Sequence, residues 1–131
     1  MKIQIYIQVL FLFSLLIGCQ DNSTSVNNNN NVYVVRSVND TLSISAVTTN
    51  YTNSQDIDLY FSVDTVKLNL SVAGYSGGIG TFKLLTDTTV IYSKDLNTNI
   101  QSVQQLITPM PTVARISLSN YKGTVSILVT K

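Results

Sequence analysis

The stretch Ile57-Asp58-Leu59-Tyr60-Phe61-Ser62-Val63-Asp64-Thr65-Val66-Lys67-Leu68-Asn69-Leu70-Ser71-Val72 carries the reading of the fold. Its apolar residues fall on odd positions up to Val63 and on even positions from Val66. Alternation of this kind marks half-buried antiparallel strands. A straight strand cannot change parity without turning its apolar side chains to the other face. A hairpin at Asp64-Thr65 removes the conflict. Val63 then faces Val66, Phe61 faces Leu68, Leu59 faces Leu70 and Ile57 faces Val72, all on one face. The rival is a β-bulge inside one long strand, because Asp-Thr lacks the glycine that two-residue turns favour.

The same period of two runs outward from this stretch. Leu42, Ile44 and Ala46 alternate with Ser43 and Ser45, and Ile116 and Leu118 with Ser117 and Ser119. Val125, Ile127 and Val129 sit among Ser126, Leu128 and Thr130. Thr, Val, Ile and Tyr are abundant, whereas Glu is absent and Ala scarce, which disfavours long helices. Gly74-Tyr75-Ser76-Gly77-Gly78-Ile79-Gly80 reads as a hairpin connection. It lacks the Lys-Ser/Thr ending of a phosphate loop. Residues 86–89 (TDTT) join strand 80–86 to strand 89–94. Asn120-Tyr121-Lys122-Gly123 suits a type I turn, which would pair 113–119 with 124–130. Pro109 and Pro111 mark the loop before that hairpin. Segment 100–107 admits both helical and strand spacing, and its neighbours favour a strand. Residues 32–131 are therefore expected to form an all-β domain. About eight or nine short strands would make a small antiparallel β-sandwich, immunoglobulin-like or jelly-roll.

Composition narrows the chemistry. The chain has 131 residues, 44% of them hydrophobic, and a net charge of +1. Histidine and tryptophan are absent and there is one cysteine. That excludes a Ser-His-Asp triad, a His- or Cys-bound zinc cage and an internal disulfide. The near-neutral charge provides no footprint for nucleic acid. No cofactor motif is present.

The first residues read as an address. Lys2 precedes the apolar run Val9-Leu10-Phe11-Leu12-Phe13-Ser14-Leu15-Leu16-Ile17, which is short against the roughly 20 residues of a membrane span. It ends in Leu16-Ile17-Gly18-Cys19, and this resembles the lipobox of bacterial lipoproteins. The resemblance covers only the leader and Cys19. It implies that residues 1–18 are a signal peptide cut before Cys19, which is then lipidated and anchors the chain in the bacterial envelope. In that class Asp directly after the Cys favours inner-membrane retention. Gln20 in that place tilts this chain toward the outer membrane. Residues 19–31, ending in five asparagines, read as a polar tether with a span of roughly 20 Å.

Several residues are candidates for function in the domain. Asp56, Asp58 and Asp64 could gather around calcium, since hard cations take several oxygens. Asp56 and Asp58 could also serve a hydrolase, whose retaining chemistry wants two carboxyls roughly 5–5.5 Å apart, one with a raised pKa. Tyr60, on the outward side of its strand, and Tyr75, in the glycine-rich segment, could meet a glycan or a partner protein. The reading that fits best is a non-enzymatic module. Cys19 would hold it at the membrane, and it would present a sandwich to an envelope protein, a polysaccharide or a host surface. A carbohydrate-binding accessory protein is the alternative, and an aspartate hydrolase comes after that.

Overall fold

The computed structural model describes residues 22–28 and 30–131. The expected signal peptide 1–18, Cys19 and Gln20, at the expected sorting position, lie outside the described residues. The described chain is all-β and antiparallel, with seven strands and no helix among the described residues. They are β1 (Asn22–Asn28), β2 (Asn31–Val38), β3 (Thr41–Asp58), β4 (Val66–Thr86), β5 (Thr89–Asp95), β6 (Ile100–Ile107) and β7 (Val113–Thr130). They form one sheet in the order β1-β2-β3-β7-β4-β5, with β6 also pairing β4.

Three strands are long and bent, and they make one sheet into two layers. In the first layer β1, β2, the start of β3, the end of β7, the start of β4 and β6 lie side by side. In the second, the end of β3 pairs the start of β7, which pairs the end of β4, which pairs β5. The register shifts lie next to one another: Thr48 to Asn53 in β3, Ser119 to Gly123 in β7 and Ala73 to Ile79 in β4. A bulge adds residues to one strand, bends it and swaps the side that its later residues face. In β7 the buried positions are accordingly even up to Leu118 and odd from Tyr121. Both layers face one hydrophobic core. It takes Ile44, Leu70 and Ile127 from the first layer and Phe82, Ile116 and Leu118 from the second.

Three expectations change here. Among the described residues the strands number seven, because 74–80 and 120–123 are not connections between strands but bends within β4 and β7. The proposed hairpin 57–63/66–72 does not form. β3 ends at Asp58, residues 59–65 are irregular, and β3 pairs β7 while β4 lies on β7's other side. The burial it predicted does hold: Ile57, Leu59, Phe61, Val66, Leu68, Leu70 and Val72 are all in the core, with Val63 packed against it. The expected tether 19–31 is largely taken up by strand. Asn22–Asn28 pairs β2 along its whole length, and Asn31 is buried, its Oδ1 accepting the Thr49 N–H at 2.7 Å. The expected strand at 100–107 and the turn between β4 and β5 are both present.

Tight turns use residues that tolerate positive φ. Asp40 (φ 61°) closes β2 on β3, and Asp87 (φ 55°) closes β4 on β5. Asp40 also ties down the irregular link. Its Oδ1 accepts the Ser62 N–H at 2.7 Å, its Oδ2 accepts Lys131 Nζ at 2.9 Å, and its own N–H donates to the Tyr60 carbonyl. Lys131, with help from Ser62, lowers the Asp40 carboxyl from 3.8 to about 2. A carboxyl whose folded pKa is depressed stabilises the fold fully above its unfolded pKa, and that contribution is lost as pH falls through the folded value. Thermal melts should therefore show wild type above Asp40→Asn at pH 5, with the gap closing between about pH 3.8 and about pH 2. A gap that stays constant over that window would remove the ionised carboxylate as its cause.

Phe61 and Tyr60 test the link itself. Phe61 is 8% exposed and Tyr60 48%. Phe61→Ala should cost about 3 kcal/mol, the low end for a buried phenylalanine. Tyr60→Ala should cost within about 1 kcal/mol, as surface changes do. Urea melts giving the reverse order would mean that the link runs with its other side inward.

Candidate functional site

The first half of β4 has partners on both sides, so its backbone groups are taken and only side chains can meet a ligand. Leu68 and Leu70 point into the core, and Lys67 and Asn69 therefore stand on the outer face. The register sets their neighbours. Lys67 lies between Leu106 of β6 and Thr130 of β7, and Asn69 between Gln104 and Leu128. These residues line an open groove of about 410 Å³. That is within the roughly 300–1,000 Å³ of ligand sites. Leu106 is 63% exposed and Leu128 42%. Ser102 Oγ donates to Asn69 Oδ1 at 3.2 Å, which orients the amide. Among the described residues Lys67 has no acidic partner. The groove thus offers an ammonium, amides, a hydroxyl and two leucine side chains on one rigid surface.

The sequence-predicted residues lie elsewhere. Asp56 and Asp58 line a smaller polar cleft of about 270 Å³ with Ser23, Thr24 and Gln55. Asp56 is engaged there: Arg115 opposite it on β7 donates from Nε to Oδ1 at 2.6 Å and from Nη2 to Oδ2 at 2.7 Å. The Arg115 guanidinium holds the Asp56 carboxyl below its usual value. That is the opposite of what a general acid needs. Asp64 lies in the irregular link, away from this cleft. Among the described residues no three acidic, His or Cys side chains gather to hold a metal ion, so the calcium trio Asp56, Asp58 and Asp64 is not assembled.

Tyr75 is occupied within the fold. Its hydroxyl donates to the Gly78 carbonyl at 2.8 Å, its N–H donates to Asn99 Oδ1, and its ring lies 5.7 Å from that of Tyr121. It braces the β4 bend and is half-buried against the core. Tyr60 is exposed, as expected, on the link after β3. The groove corresponds to no contiguous motif in the sequence. Its signal was an apolar residue at an outward position: Leu128 between inward Ile127 and Val129, and Leu106 beside buried Ile107.

No protein-family model matches the chain, and no curated protein matches it. Among solved structures it is similar to the crystal structure of CapF with inhibitor 3-isopropenyl-tropolone, at 13% identity and a TM-score of 0.37. The match covers 83% of this chain and 30% of that one. A likeness at this level carries neither fold nor function.

Proposed function

We propose that the chain is a lipid-anchored binding module of the bacterial envelope, held at the outer membrane by Cys19. The observation that carries this reading is the placement of the chain's one cysteine. It directly follows an apolar leader and Leu16-Ile17-Gly18, where a lipobox requires it, and the sequence beyond turns polar. Several acyl chains on one residue meet the need for more than one lipid signal in stable anchoring. Among the described residues no helix is long and apolar enough to cross a membrane.

The start of β1 at Asn22 limits how the domain would stand. The three residues 19–21 would span at most about 10 Å. The β1 edge would sit close to the headgroups, and the outer face at β4 and β6 would point toward a partner protein or polysaccharide. In cells, wild type should take up radioactive palmitate and fractionate with membranes. Cys19→Ser should remain uncleaved by the lipoprotein peptidase and unlabelled. A wild-type chain found unlabelled and soluble in the periplasm would sink the reading.

A further inference from the structure

We propose that the groove across β6, β4 and β7 is a subsite for an acidic oligosaccharide, with Lys67 meeting a carboxylate on the sugar. The proposal rests on the binding-module reading for its biological setting, but the groove itself comes from geometry. Sugar hydroxyls both donate and accept. Side-chain amides match them because each amide carries both functions. Asn69 and Gln104 stand opposite each other on neighbouring strands and provide two such groups, with the Thr130 hydroxyl beside them. Leu106 and Leu128 are exposed in the same groove, where the C–H face of a sugar ring would cover them.

Charge selects an acidic sugar over a neutral one. Lys67 is the one charged residue among those that line the groove, and it has no acidic partner among the described residues. A peptide adding a strand would need a free sheet edge. The groove runs over the face of β4, which is paired on both sides, whereas the nearest free edge of this layer is the far side of β6. The position also suits a ligand arriving from outside. β4 is four strand steps from β1, roughly 20 Å from the anchored edge.

The test uses the full lipidated chain in detergent micelles, titrated calorimetrically with tetragalacturonate and with its fully methyl-esterified, uncharged form. Wild type should bind the acid form about two- to fivefold more tightly, as expected for one solvent-exposed ion pair. Lys67→Gln should remove that preference and leave the ester unaffected. Asn69→Ala and Gln104→Ala should weaken both ligands. Lys83→Gln, outside the groove, should change nothing. Failure of wild type to bind either form would overturn the proposal. So would equal losses in Lys67→Gln and Lys83→Gln, which would mark unspecific charge attraction. A palmitate-labelled chain that captures an envelope protein but no uronate would sink the subsite and keep the anchored module. An unlabelled chain that binds uronate through Lys67 would do the reverse.

Discussion

Tyr121→Ala should cost about 3–5 kcal/mol, the range for emptying a buried aromatic site, against a total stability of about 5–15 kcal/mol for a domain. Tyr121 is fully buried at the β7 bend, where its ring packs against Tyr75. Its hydroxyl donates to the Leu96 carbonyl at 2.6 Å and so ties the bend to the link after β5. Burial pushes the hydroxyl up to about 12, so it remains a donor across the working pH range. Tyr121→Phe keeps the ring and should cost about 1–3 kcal/mol, the penalty for leaving a buried acceptor without a partner. Urea melts of the three proteins check the series. A Tyr121→Ala cost below about 1 kcal/mol, the size of a surface change, would mean that 120–123 is a solvent-exposed turn. A single bent β7 would then be wrong.

Gly78→Ala should be comparably severe through a different cause. Gly78 has φ of 89°, a region that side chains rarely adopt. A Cβ there would run into the Asn120 carbonyl oxygen and stand 2.7 Å from the Ser119 carbonyl oxygen. Both obstacles are backbone atoms of the neighbouring bend and cannot rotate away. Backbone strain of about 1–3 kcal/mol and overpacking of about 1–3 kcal/mol should add to roughly 2–6 kcal/mol. Gly74→Ala is the control. Its φ is 60°, but nothing lies within 4 Å of a Cβ, so only the left-handed penalty of about 1–2 kcal/mol applies. Thermal unfolding of both variants separates the effects. Equal losses would show that the β4 and β7 bends do not nest.

The parity change near Asp64 shows why the topology was harder to read than the burial. Alternation marked Ile57, Leu59 and Phe61 as inward, and all three are buried. Parity can also be reset by a hairpin, by a bulge or by an irregular link, and all three leave the same trace in the chain. Hairpins at 57–72 and at 113–130 would each fit the local pattern. The structure has an irregular link in the first place and a bulged bend in the second. Tyr121 was the available clue, since a large aromatic is poorly placed at the tip of an exposed turn. The candidate site divides in the same way. Outward positions such as Lys67 and Asn69 followed from alternation, but nothing local says that Gln104 and Leu128 flank Asn69.

By itself the sequence determined the class of secondary structure, the inward residues of the alternating stretches and the resemblance of Leu16-Ile17-Gly18-Cys19 to a lipobox. Each of these is written in short-range periodicity or in a contiguous motif. Only the tertiary structure decided that β7 lies between β3 and β4, that three adjacent bends fold one sheet into two layers, and that a groove opens across β6, β4 and β7. Backbone hydrogen bonds join any two strands equally well, so strand order is left to whichever arrangement closes the core around all the inward side chains at once.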